Sequence, residues 1–345
     1  MHVADLGLPA NFLMRIALRA IELLDGAETT SDNFKSLLPS LVAEAVFRET
    51  EEGQHFDSLF GTIRLLKAKK IRRIILMKRK FMLGLGLGLA LMLPVFAHDL
   101  YLKMDGFFVG VNEKISVKVL NGSFMDSEGA VTFARLQDTS VISPSGTRTN
   151  PKEADFTKED KTSFLNLQPA EAGNYIVGLS TMPREIDLKA KDFNEYLSED
   201  GIPDTLLERK RKKQLSKDVR ERYSKHVKTI FQVGDRQSEN YKTALGYPVE
   251  IVPQTNPYAL KTGDAFEFLC VKDGKALANQ FVMTGRDEDG KLITGENVRT
   301  DKNGIAKIKL VGAGKWYVKF IQMTLLKDPK INYESKWATL TFEIK

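Results

Sequence analysis

The chain has 345 residues, which at roughly 100 to 200 residues per domain allows two domains with a sizeable core. Hydrophobic residues at 42% and charged residues at 28% describe a globular protein, and a single cysteine excludes both a disulfide framework and a cysteine-rich metal cluster. Of the 51 cations and 45 anions, 13 and 10 precede His98, so half of the +6 net charge lies upstream and residues 98–345 are close to neutral.

The most specific local signal is at 77–97. Lys78, Arg79 and Lys80 precede an apolar run from Phe81 to Leu93, followed by Pro94-Val95-Phe96-Ala97. A charged start, a short apolar core and small residues at Val95 and Ala97 make a secretory signal peptide, cleaved between Ala97 and His98. The apolar run is shorter than the roughly 20 residues of a membrane span, so no stable span is expected after cleavage. The expected location is periplasmic or secreted. Residues 1–76 read as the product of a misassigned start, with translation beginning at Met77. In the alternative they are a cytoplasmic segment, and the apolar run is an uncleaved anchor oriented by the Lys and Arg residues of 67–80. Phe12, Ile16, Ala20 and Leu23 recur there at helical spacing. Gly84, Gly86 and Gly88 are not a phosphate loop, because no Gly-Lys-Ser/Thr follows. No cysteine stands directly after the cleavage site to take a lipid anchor.

The exported part reads as mainly β: two immunoglobulin-like or transthyretin-like β-sandwich domains, at 98–245 and 246–345, the first carrying a helical insertion at about 188–231. Ile115, Val117 and Val119 alternate with Ser116 and Lys118 ahead of an Asn121-Gly122 turn. Strands are expected at 131–136, 163–167 and 172–179. The spacing of Phe193, Tyr196 and Leu197 then predicts a helix, and Gly201-Ile202-Pro203-Asp204 stops it and caps a second helix over 204–231. That second helix would carry ten Lys or Arg, among them Arg209, Arg220 and Lys225. It is expected to present a solvated basic face rather than a nucleic-acid interface, since an exported protein rarely meets DNA. Strands return at 249–253, 265–271, 281–284, 305–310, 316–320 and 338–344, punctuated by Asp273-Gly274, Asp289-Gly290 and Asn303-Gly304. Cys270, within Phe266-Glu267-Phe268-Leu269-Cys270-Val271, is expected to be a buried structural thiol.

Six ordered segments resemble a family of secreted bacterial proteins of unknown function, some of them labelled nickel-uptake (NikM-like) periplasmic proteins. They are Ala97-His98-Asp99-Leu100-Tyr101-Leu102, Asp192-Phe193-Asn194-Glu195-Tyr196-Leu197, Arg220-Glu221-Arg222-Tyr223-Ser224-Lys225, Leu245-Gly246-Tyr247-Pro248-Val249-Glu250-Ile251-Val252-Pro253, Thr300-Asp301-Lys302-Asn303-Gly304, and Tyr333-Glu334-Ser335-Lys336-Trp337-Ala338-Thr339-Leu340. The resemblance spans 98–345 and departs from the family pattern at Tyr101, where a Trp is frequent. It implies a non-enzymatic envelope protein whose second domain is similar to carboxypeptidase-regulatory-like modules, with metal-uptake components or another envelope protein as partner.

The sharpest candidate for chemistry is His98. Cleavage before it leaves an α-amine and an imidazole on one residue, two nitrogens that can chelate Cu or Ni. A histidine brace needs a further imidazole, and His226 is the other histidine after the cleavage point; Asp99 is the alternative donor. The metal-site expectation is therefore His98, Asp99 and His226. The plainer expectation makes His98 a residue left by cleavage and His226 a surface residue of the basic helix. Asp287-Glu288-Asp289-Gly290 fails the calcium-loop order, because Leu292 stands where glycine is required, and reads as a hairpin turn. No hydrolase or nucleophile motif is present, so no catalytic residue is assigned. A carboxylate-pair enzyme acting on envelope glycans and a protein-interaction module without metal complete the alternatives.

Overall fold

The computed structural model describes residues 98–345 throughout and, upstream, the backbone of three segments, His2–Gly7, Phe47–Ser58 and Gly61–Lys70, which pair as their own antiparallel sheet. The expected signal peptide at 77–97 and the helical pattern of Phe12, Ile16, Ala20 and Leu23 lie outside the described residues.

Residues 98–345 are mainly β, as the patterning predicts. The principal strands are β1 (Asp99–Lys103), β2 (Ile115–Gly122), β3 (Leu136–Ile142), β4 (Thr162–Leu167), β5 (Gly173–Thr181), β6 (Val219–Val233), β7 (Val249–Pro253), β8 (Ala265–Lys272), β9 (Phe281–Glu288), β10 (Ile305–Lys309), β11 (Gly314–Leu325) and β12 (Tyr333–Ile344). One long sheet has the order β9-β11-β12-β6-β5-β3, and a smaller sheet packs on each of its faces, β1-β2-β4 on one and β7-β8-β10 on the other. All these ladders are antiparallel except β6 with β12, which run parallel from Glu221 opposite Tyr333 to Thr229 opposite Thr341. That joint carries one sheet across residue 245, where the sequence pattern separates two sandwiches.

Alternation of side chains along β6 builds both cores. Val227, Phe231 and Val233 face Leu100, Leu102, Val117, Val119 and Leu165 of the first small sheet. Ile230 points the other way, into a core with Ile251, Phe266, Phe268, Trp316, Leu340 and Phe342. A strand sandwiched on both faces must be apolar or satisfied all along, and every residue of β5 is buried. Cys270 is buried in the second core, as expected.

The insertion holds two short helices, α1 (Ala190–Glu199) and α2 (Pro203–Arg211). Phe193, Tyr196 and Leu197, spaced three and four apart, put α1 on the sheet, where Tyr196 stacks on Trp337 at 5.6 Å and Phe193 meets Tyr333 at 5.1 Å. Gly201 ends α1 at φ 75°, and a side chain there would collide with the Met283 sulfur at 2.6 Å. Pro203 then occupies the first turn of α2, where its missing N–H costs nothing.

Three expectations are corrected. The basic helix over 204–231 ends at Arg211, and Val219–Val233 is a central strand. Arg209 turns the chain between them: it is 2% exposed, donates to Asn194 Oδ1 and to the carbonyls of Gln214 and Lys217 at 2.8 to 3.0 Å, and lies over the Phe193 ring. The strand over 131–136 is a 3-10 turn, Phe133–Arg135, with β3 starting at Leu136. Asn121-Gly122 continues β2 rather than turning; the bend comes after it, closed by Ser123 N–H donating to Asp126 O at 2.9 Å. The hairpins at Asp273-Gly274 and Asp289-Gly290 form as predicted, both residues of each pair at positive φ. Among the described residues no helix is long and apolar enough to cross a membrane.

Candidate binding site around His98

Strand β1 lies across the β6–β12 joint. Thr339 and Thr341 of β12 donate to the Leu100 and Leu102 carbonyls at 3.0 and 2.6 Å, and Lys225 of β6 donates to the His98 carbonyl. Residue 98 is thereby fixed in the lining of two cavities. One, of about 240 Å³, is lined by acids, Asp99, Glu128, Asp192, Glu199 and Asp200. The other, of about 270 Å³, is lined by Arg135, Arg184 and Lys225 with Asn121, Thr181 and Tyr223, and no acid. His98 lines both, its imidazole 27% exposed and its Nε2 3.3 Å from Glu128 Oε2.

Asp99 is engaged elsewhere. Its Oδ2 accepts from Lys319 Nζ at 2.5 Å and from the Tyr101 hydroxyl at 2.9 Å, and Lys319 also holds Asp200 at 2.9 Å. Burial opposes the Lys319 ammonium, but Asp99 and Asp200 outweigh it and hold its pKa above the ordinary lysine range. Burial also raises Asp200, against the pull of Lys319. This cluster ties β1 to the residue following α1. The Asp99 Oδ1 is buried with no hydrogen-bond partner among the described residues.

His226 is not a surface helix residue: it is 2% exposed on β6. Its Nδ1 lies 2.8 Å from Ser180 Oγ and its Nε2 3.0 Å from Ser224 Oγ, so both nitrogens are occupied. Burial, with Lys336 adding to it, pushes its pKa down to about 4, so the imidazole is neutral. Lys225 points to His98, and successive strand residues point to opposite faces. His226 therefore faces Tyr247, ring to ring at 5.9 Å, on the far side of the sheet. The expected set of His98, Asp99 and His226 does not come together, and among the described residues no three His, Cys, Asp or Glu side chains are arranged to hold a metal ion.

Sequence reasoning missed Glu128, Arg135 and Arg184. The ladder places Arg184, which sits directly opposite Tyr223 in register, two residues from Lys225 on the same face of β6. Arg135 is delivered by the turn before β3 and fixed by donating to the Met182 carbonyl at 3.0 Å. Lys225 stood within the recognised Arg220 to Lys225 segment, although there it read as part of a helix.

The fold and site define a mainly β protein of two sandwiches sharing one sheet, with a recessed charged site at the start of its first strand. Residues 95–324 match the family model of a domain of unknown function, DUF4198, and the chain belongs to that family. No curated protein matches the sequence. Similar solved structures include the D0-D1 domain of intimin, at 12% identity over 71% of this chain and 97% of that one, TM-score 0.17. Murine CEACAM1b is matched at 10% identity over 72% and 99%, TM-score 0.17. A two-domain fibronectin type-III segment of chicken tenascin is matched at 13% identity over 72% and 98%, TM-score 0.18.

Proposed function

We propose that this protein acts outside the cytoplasm as a non-catalytic accessory protein that handles a transition-metal ion, Cu or Ni, near an uptake system. The reading is carried by the approach of His98 Nε2 to Glu128 Oε2, 3.3 Å apart, beside a cavity whose acids favour a cation. These two side chains do not complete a site by themselves. Cleavage between Ala97 and His98 would add the α-amine, with a pKa near about 7.7 to 8.0, and give an amine, an imidazole and a carboxylate. His226 is excluded from this donor set by the partners of both its nitrogens, and Asp99 is held at Oδ2 by Lys319 and Tyr101.

The test is metal analysis and titration with Cu(II), Ni(II) and Zn(II) of protein exported and cleaved in a bacterial periplasm, beside a version carrying one extra residue before His98. Submicromolar binding that is lost on extension, and weakened by Glu128→Gln, is the expected result. Equal and weak binding by both forms would overturn the reading.

A further inference from the structure

The cavity on the other side of His98 poses a separate question: what balances its cations. Two other buried lysines on this face of the long sheet have carboxylate partners: Lys319 has Asp99 and Asp200, and Lys103 has Asp287 at 2.9 Å. Among the described residues, Arg135, Arg184 and Lys225 have no carboxylate within ion-pair distance, and their cavity has no acid in its lining. Lys225 is 6% exposed, and its ammonium meets only neutral acceptors, the His98 carbonyl and Asn121 Oδ1 at 3.4 Å. An ammonium desolvated with no carboxylate within ion-pair distance is costly; the Arg135 guanidinium adds repulsion, and Asp99 and Asp200 oppose it from a distance.

We propose that this cavity binds a small oxyanion, a phosphate or the carboxylates of a small organic acid, between Arg135, Arg184 and Lys225. A guanidinium fork can donate to two oxygens of a carboxylate or a phosphate at once, and the Lys225 ammonium in the same lining supplies a point charge. Neutral donors complete the lining. The Thr181 Oγ1 accepts the Lys225 backbone N–H at 2.9 Å, which leaves its own proton to donate, and the Tyr223 side chain also lines the cavity. A volume of about 270 Å³ suits a phosphate or a di- or tricarboxylate and is small for larger organic ligands. The inference does not depend on the metal reading, since it uses none of the acids near His98.

The test is calorimetric titration of the full, metal-depleted chain with inorganic phosphate and with citrate at constant ionic strength. Arg184→Gln is compared with Arg211→Gln, which removes the same charge from exposed α2 outside the cavity. At least one anion is expected to bind saturably with a dissociation constant below about 1 mM. Arg184→Gln is expected to weaken it by about tenfold or more, while Arg211→Gln leaves it within about twofold. Phosphate alone saturating identifies a phosphoryl ligand, and citrate alone a carboxylate one. Absence of saturable binding by the parent chain, or equal weakening by the two variants, overturns the proposal.

Discussion

Strand β6 carries two buried lysines three residues apart, and the sheet sends them to opposite faces. Lys228, 1% exposed, meets Glu250 Oε1 at 2.8 Å, and the same carboxylate accepts from the backbone N–H of Leu245 and Gly246 at 2.6 and 3.1 Å. Lys225 meets a carbonyl and an amide oxygen but no carboxylate. The neighbouring polar groups divide the same way. His226 is satisfied at both nitrogens, whereas Glu221 accepts from Tyr196 and Ser335 with one oxygen and leaves Oε2 without a partner. On the Lys228 face the polar groups close on one another and pin the start of the second sandwich to the first. On the Lys225 face hydrogen-bonding and charge capacity remain unfilled beside cavities. Burial is common to both lysines, so the state of the counter-charge is what separates a structural pair from a binding group.

The largest effect is expected on the closed face. Glu250→Gln removes the counter-charge of an ammonium that has no access to water and weakens two backbone hydrogen bonds. Breaking one partner of a buried pair costs about 3–5 kcal/mol, read as a lower urea midpoint at unchanged slope. A cost below about 1 kcal/mol would show that Lys228 finds another partner and that the two faces do not differ as described.

Next in size is a pair of opposed pH dependences. Burial raises Glu221 to about 7, against the hydrogen bonds of Ser335 and Tyr196, and it lowers His226 to about 4. Unfolded, the two groups titrate near about 4.3 and 6.5. Between these values and the folded ones the native state holds the extra proton at Glu221, so that contribution to stability is present at low pH and lost as pH rises toward 7. At His226 the unfolded state holds the extra proton, so stability rises with pH from about 4 to 6.5. Each shift is worth about 3 kcal/mol, and in the shared window these two contributions offset one another. Glu221→Gln should uncover the rise and His226→Gln the fall. Parallel denaturation profiles for the parent and both variants, from pH 4 to 7.5, would break this assignment.

Much of the fold follows from local patterns. The turns Asp273-Gly274 and Asp289-Gly290 form because both positions adopt positive φ, and α1 forms where Phe193, Tyr196 and Leu197 share a face. β6 was misread because counting its Lys and Arg suggested a solvated helix. Its β-branched Val227, Thr229, Ile230 and Val233 were the contrary signal, and the long side chains of Lys225 and Lys228 reach buried partners that a one-dimensional pattern does not reveal. His98 was legible as a residue of interest from the cleavage signal alone. The cavity beside it was not, because Arg135, Arg184 and Lys225 come from three elements far apart in sequence and line one cavity only through strand register and the turn before β3.

The smallest stability effect should come from the lysine that the comparison sets apart. Lys225→Met deletes a buried charge with no carboxylate within ion-pair distance, so the desolvation cost relieved offsets the two neutral hydrogen bonds lost. Stability at pH 7 is expected to stay within about 1 kcal/mol of the parent. The pH profile carries the sharper sign. Burial lowers Lys225 to about 8, with Arg135 and Lys319 acting in the same direction and Asp99 and Asp200 opposing it, while the unfolded lysine titrates near about 10.4. From pH 8 upward the unfolded state therefore holds more protons at this residue, and parent stability gains relative to the methionine variant until about pH 10.4. Lys228 is lowered by burial too, but it is present in both chains and cancels in the difference. A loss of about 3 kcal/mol or more at pH 7 would make Lys225 a structural member like Lys228, with its missing counter-charge supplied by the fold rather than by a ligand.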